Sequence, residues 1–390
     1  MKRILLVLAF GLVIALPARA VDTVRICTYN ILKFSEDNVD GRMPQFKRVL
    51  DSIRPHIMLS QEVADNTAGP RFVSEVFTWA PFAAIPFIDG PDTDHMVFYD
   101  QSLFDLVSTR VIPTELRNIQ EVILALRPHD QTLADTIVLY SVHLKASDGS
   151  AEAAQRLREI NSLISTISSR PHVMICGDFN IYGPTESAYT ALVGPSATRR
   201  FVDPLGGVWR RNDASFAKIY TQCTRKSNLG ACGGGVDGGV DDRFDLLLAS
   251  QELSSRILPQ TYTAFGNDGL PRLNESIDDP KNILVSSEMA AALKCASDHL
   301  PTYVDVILGD VQAGVDDMQQ PALVATWEAP YLKISGMQLG EQYRVYTTNG
   351  GLVATITAHS DEQRIMLSSL ASGVYSLTGP HTQIRFAVTR

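Results

Sequence analysis

Eight polar residues, Asn30, Glu62, His143, Asp178, Asn180, Asp245, Asp298 and His299, stand at the edges of apolar runs, where a side chain can do chemistry without being part of the core. VRICTY ends in Asn30, IMLS runs into Gln61 and Glu62, and VLYSV runs into His143, Leu144 and Lys145. HVMIC leads into Gly177-Asp178-Phe179-Asn180, Arg243-Phe244-Asp245 opens LLLAS, and Ser297-Asp298-His299 precedes a further apolar run. In layered α/β proteins, strand ends on one side line a common crevice where ligands bind. Asn30, Glu62, Asp178, Asn180 and Asp298 would make such a crevice rich in oxygen, and hard oxygen donors without thiolates select Mg²⁺, Mn²⁺ or Ca²⁺ over zinc. Two imidazoles beside them supply general acid and base capacity.

The elements that must position these residues are legible as short apolar runs. Strands are predicted over Val24–Tyr29, Ile57–Ser60, Met96–Tyr99, Ile137–Val142, His172–Cys176, Phe244–Leu248 and Tyr303–Ile307. Helices are predicted over Met43–Arg54, with Phe46, Val49, Leu50 and Ile53 on one face and Pro55 after it, and over Ala151–Ser168, with Leu157, Ile160, Leu163, Ile164 and Ile167. Strands interleaved with helices predict a layered α/β sandwich.

In this order and at these spacings, Thr28-Tyr29-Asn30, Gln61-Glu62, His143-Leu144-Lys145, Gly177-Asp178-Phe179-Asn180, Arg243-Phe244-Asp245 and Ser297-Asp298-His299 resemble the motifs of the DNase I-like endonuclease/exonuclease/phosphatase superfamily. The resemblance covers roughly residues 24–308 and implies a four-layered α/β sandwich, two packed mixed β-sheets flanked by helices. It also implies roles. Glu62 is the principal metal ligand, assisted by Asn30 and Asp298. Asp178 orients or deprotonates the attacking water, and Asn180 holds the phosphate. His299, its tautomer fixed by Asp245, faces the scissile phosphate, and His143 bonds the phosphate or protonates the leaving oxygen. Such a set suits in-line hydrolysis of a phosphodiester, which needs a nucleophile, neutralised charge and help for the leaving group. The implied activity is that of a Mg²⁺-dependent phosphodiesterase, with Mn²⁺ or Ca²⁺ as other ions, acting as an endonuclease on DNA or RNA. A phospholipid, sphingomyelin or small phosphate ester is the alternative substrate, and a surface-binding protein without activity is the rival outside enzymology.

Lys145 reads as a solvated or phosphate-steering charge, Arg243 as a brace, and His95 and His129 as surface residues. The turn Phe265-Gly266-Asn267-Asp268-Gly269 is a candidate rim of the cleft, and the glycine-rich stretch Gly233 to Gly239 a flexible loop rather than a phosphate-binding P-loop, since no helix with a lysine follows it.

The formal net charge of −9 argues against tight non-specific binding of nucleic acid, though a substrate can be held by local cations. Residues 1–20 have the form of a signal peptide: Lys2 and Arg3, an apolar run Ile4 to Leu16, then Ala18-Arg19-Ala20. Export, to the medium or the cell surface of a bacterium, is therefore expected, and it permits disulfides. Cys223 and Cys232 flank a polar stretch and are the expected pair, while Cys27 and Cys176 lie in apolar strands and read as buried thiols. The catalytic region is expected over 21–309, a polar linker over 310–322, and a small all-β domain over 323–390. Tyr343-Arg344-Val345-Tyr346, Gly350-Gly351-Leu352-Val353 and Leu370-Ala371-Ser372-Gly373-Val374-Tyr375 in that last segment resemble type IX secretion sorting domains; a carbohydrate- or surface-binding module is the alternative. A monomer is expected.

Overall fold

The computed structural model describes residues 22–39, 41–127, 136–309 and, between 324 and 388, the strands of a second unit with part of their connections. The expected leader, the expected linker, His129 and Gly350 lie outside the described residues. The chain divides into two units, with the break after Asp310.

Among its described residues the first unit has twelve strands: β1 (Asp22–Phe34), β2 (Ile57–Val63), β3 (Phe82–Ala84), β4 (Asp94–Asp100), β5 (Phe104–Ile112), β6 (Ile119–Leu126), β7 (Thr136–His143), β8 (Val173–Asp178), β9 (Phe201–Val202), β10 (Asp245–Ser250), β11 (Ile257–Ala264) and β12 (Thr302–Leu308). They make two six-stranded sheets, ordered β11-β12-β1-β2-β4-β3 and β5-β6-β7-β8-β10-β9. Each sheet has one parallel pair at its centre, β1 with β2 and β7 with β8, and antiparallel neighbours outside it. Parallel neighbours require a crossover, and each is a helix: Met43–Ile53 between β1 and β2, Ser150–Thr166 between β7 and β8.

Alternation along the strands builds the layers. On β7, β8 and β10, Ile137, Leu139, Met174, Cys176, Leu247 and Ala249 fill the space between the sheets, while Val138, Tyr140, Val173, Ile175, Leu246 and Leu248 meet Ile160 and Leu163 of the outer helix. The first sheet is covered outside by Phe46, Val49, Leu50 and Ile53 and by the helix Ser287–Ala296 through Ala292 and Leu293. The arrangement is a four-layered α/β sandwich. Extending the same period of two puts Ser141, His143, Asp178 and Asp245 on the inter-sheet side, just where the apolar filling stops.

The second unit holds a three-stranded antiparallel sheet, Val324–Glu328, Tyr331–Ser335 and Glu362–Met366, and a four-stranded one, Gln342–Thr347, Leu352–Thr357, Gly373–Thr378 and Gln383–Val388. Leu332, Ile334, Val345, Ile356 and Leu377 share one core with Tyr343 and Tyr375. With those two tyrosines buried, the aromatic surface that a carbohydrate-binding face would use is reduced. Among the described residues of the whole chain, no helix is long and apolar enough to cross a membrane.

Two expectations are corrected. Cys223 is a buried free thiol, and the disulfide joins Cys232 to Cys295, 63 residues apart, so a loop beside the cleft is tied to the helix that leads into Asp298 and His299. Local sequence shows which cysteines flank a loop but not which distant helix packs beside it. His95 is not on the surface: it is buried on β4, with Nδ1 2.9 Å from the Ser141 hydroxyl and Nε2 2.9 Å from the Asn118 carbonyl. The thiols of Cys27 and Cys176 are buried, as their strands predict.

Two measurements follow from these corrections. Peptide mapping without reductant should recover a Cys232–Cys295 pair and three thiols, and reduction should cost about 4 kcal/mol for a loop of this length; a Cys223–Cys232 peptide would contradict the structure. Burial lowers the His95 pKa from 6.5 to about 4. The folded state therefore refuses a proton that the unfolded chain accepts, and stability present above pH 6.5 drains away as pH falls toward 4. Between pH 7 and 4.5 the wild type should lose about 2–3 kcal/mol more than His95→Gln in denaturant titrations. A stability difference between the two proteins that does not change with pH would contradict a buried neutral imidazole.

Candidate active site

The parallel pairs end at one rim, and that rim carries the polar residues. Asn30 lies in β1 and Glu62 in β2, and His143 and Asp178 are the last residues of β7 and β8, paired across the ladder. Antiparallel β10 runs the other way, so its first residue, Asp245, sits opposite Asp178. His299 precedes β12, the antiparallel neighbour of β1. Together they flank a cavity of about 620 Å³ lined by Glu62, His143, Asp178, Asn180, Asp298 and His299. Asn30 lies beneath it and Asp245 behind His299.

Backbone irregularities aim these side chains. Gly177 has φ +144°, and a Cβ there would stand 2.0 Å from the Val142 carbonyl oxygen, so only glycine lets β7 approach closely enough to bring His143 alongside Asp178. Glu62 and Asn180 adopt positive φ, 60° and 48°, in a region costly for non-glycine residues and characteristic of functional sites. The strand pairing of β2 shifts register there, and the turn takes Glu62 out of simple alternation. Asn180 closes a local turn, its N–H donating to Asp178 Oδ1 at 3.1 Å, and its amide nitrogen donates to the Leu144 carbonyl at 3.2 Å. Ser297 anchors the last motif: its hydroxyl donates to the Asn30 carbonyl at 2.6 Å and accepts from the His299 N–H at 3.1 Å.

Carboxylates and imidazoles converge. Glu62, His143 and Asp178 present atoms that all lie within 4.8 Å of one another. The Asn30 amide nitrogen donates to both carboxylates, Glu62 Oε1 and Asp178 Oδ2, at 3.0 Å each, while its oxygen accepts from the Leu32 N–H. So oriented, Asn30 bridges the two acids. Asp298 lines the cavity with Oδ2 held by the Val236 N–H at 2.8 Å. Among the described residues no lysine or arginine lies within ion-pair distance of Glu62 or Asp178. Burial raises the pKa of both carboxyls, with Asp298 adding to the effect on Glu62 and Asp245 adding on Asp178. Burial also drives the His143 pKa well down, helped by Arg117, leaving a neutral imidazole whose Nε2 is 3.5 Å from Asp178 Oδ2. Oxygen donors with one neutral imidazole and uncompensated negative charge fit a hard divalent cation.

His299 is a different kind of group. Its Nδ1 lies 2.8 Å from Asp245 Oδ2, both side chains sealed from water, and its Nε2 faces Asp178 Oδ2 at 3.5 Å. Burial opposes its protonation, but Asp245 and Asp178 outweigh burial and raise its pKa. A carboxylate on Nδ1 fixes the ring and the tautomer, leaving Nε2 to act in the cavity.

The eight residues of the expected site are thus brought together, six on the cavity wall and two supporting them. Others from the sequence reading are elsewhere. Lys145 contributes backbone contacts, its N–H to Glu159 and its carbonyl to Arg156. Arg243 forms a buried two-pronged pair with Asp203 and lies over Trp209, bracing the start of β10. Asn267 and Asp268 are spent on the Ala217 and Tyr220 carbonyls and on Arg272, so that turn is structural. The glycine-rich stretch does line the cavity: a Cβ on Gly235, at φ +94°, would lie 2.8 Å from Asp298 Oδ2. Lys33, Arg117, Tyr182 and Gln222 are wall residues that escaped the sequence reading, and the Gln222 amide nitrogen is 2.6 Å from His299 Nε2. Arg117 precedes β6, a strand not recognised in the sequence, and Gln222 lies in an irregular segment without a motif.

No family model matches the chain, and no curated protein matches it. Solved structures do resemble it. Zebrafish TDP2 complexed with a single-strand DNA product is 17% identical, with 73% of this chain and 98% of that one covered and a TM-score of 0.49. The human nocturnin catalytic domain with bound sulfate is 17% identical over 74% of this chain and 95% of that one, at 0.45. An endonuclease/exonuclease/phosphatase family protein from Bacteroides thetaiotaomicron is 13% identical over 75% of this chain and 100% of that one, at 0.46. At such identities the chemistry has to be argued from this chain's own residues.

The Asp245–His299 pair gives a sharp expectation. Asp245→Asn keeps the shape but turns the acceptor of the Nδ1 proton into a group that can donate, so turnover should fall roughly 10²–10⁴-fold with KM little changed. Initial-rate kinetics on a phosphodiester checks this; wild-type turnover would show that the pair is only structural.

Proposed function

We propose that this chain is an exported, divalent-cation-dependent phosphodiesterase that cleaves DNA or RNA internally by in-line attack of water. The observation that carries the reading is the convergence, from separate strand ends, of the Glu62–His143–Asp178 cluster and the Asp245–His299 pair on one cavity. Mg²⁺, or Mn²⁺ or Ca²⁺ in its place, would supply neutralisation of the charge that builds on the phosphate and its leaving oxygen.

In this reading Glu62 is the main ligand, with Asp178 and His143 in reach, Asn30 bridging the two acids and Asp298 assisting from the cavity wall. Asp178 aligns the attacking water and takes its proton, its raised pKa bringing it toward the range of a general base. Asn180 and His299 Nε2 hold non-bridging oxygens of the phosphate, and Asp245 keeps that imidazole in register. His143, neutral and buried, bonds the phosphate or assists the leaving oxygen. Arg117 and Lys33 are the cations on the cavity wall, a local attraction for phosphate on a chain of net charge −9.

The test is nicking of supercoiled plasmid by protein spanning residues 21–390 with Mg²⁺, Mn²⁺ or Ca²⁺, with and without EDTA. Cation-dependent nicking is expected, falling roughly 10²–10⁴-fold in Asp178→Ala. Folded protein that leaves plasmid and RNA intact but hydrolyses sphingomyelin liposomes would move the substrate to lipid. No cleavage of any phosphodiester with any of the ions would defeat the enzymatic reading.

A further inference from the structure

Directly beneath the site a line of buried polar residues crosses from one sheet to the other. The Thr28 hydroxyl donates to Gln61 Oε1 at 3.2 Å, and the Gln61 amide nitrogen donates to the Ser141 hydroxyl at 2.9 Å. That hydroxyl lies 2.9 Å from His95 Nδ1, and His95 Nε2 lies 2.9 Å from the Asn118 carbonyl. A carbonyl can only accept, so Nε2 carries the proton, Nδ1 accepts from Ser141, and the whole line donates in one direction. Thr28, Gln61, Ser141 and His95 are all buried.

Every member but His95 sits one or two residues from a group in the cavity or directly beneath it. Thr28 precedes Asn30, Gln61 precedes Glu62, Ser141 precedes His143, and Asn118 follows Arg117. Thr28, Gln61 and His95 belong to the first sheet, Ser141 to the second, and Asn118 leads into β6 of the second. Deeper between the sheets the filling is apolar side chains such as Leu139, Met174 and Leu247, whose attraction is non-directional and tolerates small slides. Glu62 comes from the first sheet, and His143 and Asp178 from the second, so any slide changes the distances within their cluster. Hydrogen bonds with fixed geometry resist that slide, and a fully satisfied buried network rigidifies where a partly satisfied one is costly.

We propose that His95 and Ser141 are positioning residues, an inter-sheet hydrogen-bonded clamp that sets the spacing of Glu62 against His143 and Asp178 and so the affinity for a divalent cation. The proposal rests on the reading of that cluster as a cation site, and neither residue touches the ion or the substrate.

Binding of Mn²⁺, followed by titration calorimetry on protein of residues 21–390, tests it separately from activity. His95→Leu and Ser141→Ala should each weaken Mn²⁺ binding about 10-fold or more, the scale seen when groups supporting metal ligands are removed. His95→Gln, which keeps one donor and one acceptor, should recover binding to within about threefold of wild type. A merely structural role would lower the melting temperature and leave the Mn²⁺ affinity alone. If His95→Leu does not fold, Ser141→Ala, the smaller change, decides. Wild-type affinity in folded Ser141→Ala overturns the proposal, as does a folded His95→Gln that binds as poorly as a folded His95→Leu. Wild-type protein that binds Mn²⁺ without cleaving nucleic acid would defeat the nuclease reading and leave the clamp standing; wild-type protein that binds no Mn²⁺ overturns the clamp.

Discussion

Glu62 and Asp178 are brought together with Asp245 nearby in a region largely closed to water, and no lysine or arginine among the described residues pairs with the first two. Burying like charges is costly, and the cost is met only in part by Asn30, which donates to both acids, and by His299. Much of the surrounding structure can be read as what is required to hold that arrangement against its own repulsion. A divalent cation would relieve that repulsion directly, which is why such a cluster suits an ion.

Holding it begins with chain direction. Parallel pairs at the centre of both sheets send four strand ends to one rim, and the antiparallel neighbours return two strand beginnings to the same place. Asp245 opposite Asp178, and His143 opposite Asp178 on the other side, are consequences of ladder register rather than of loop conformation. Sites built on strand ends are rigid because each ligand residue is fixed by the hydrogen bonds of its own ladder. The loops add a second level. Arg42 and Arg225, both buried, spend their guanidinium groups on backbone carbonyls: Arg42 on Leu32 and Ala296, Arg225 on Cys232, Gly234, Lys294 and Cys295. With the Cys232–Cys295 bond they tie the glycine-rich wall to the segment that carries Asp298 and His299.

Strain is concentrated at the same rim. Leu32, Lys33, Glu62 and Asn180 all hold positive φ without being glycine, and each lies on or next to the cavity. Their conformations are fixed by neighbours on both sides, the Lys33 N–H donating to Glu62 Oε2 at 3.0 Å for example. Such backbone is retained where a side chain must point away from the direction regular structure would give it.

The strands that end in polar residues are legible in the chain itself, because a buried strand is a short apolar run and its end is the first residue that the core cannot accommodate. Residue order likewise carries the period of two that sends Asp178 and Asp245 inward, and the glycine before Asp178 that permits close approach. Strand β5 was not legible, since it is half-exposed and mixes polar with apolar residues; β6 is a buried, largely apolar run that the sequence reading passed over, and with it went Arg117. The alternation rule also could not give the orientation of Glu62, which depends on a positive φ that no propensity marks. What lies across the interface between the sheets is set by long-range packing. His95 reads as a surface histidine within its own strand and becomes buried because Ser141, 46 residues away, stands opposite it; Cys232 finds Cys295 for the same reason. Local spacing encodes what an element is and which face it buries. Partners separated by tens of residues are chosen by packing, and packing is a property of all the elements at once.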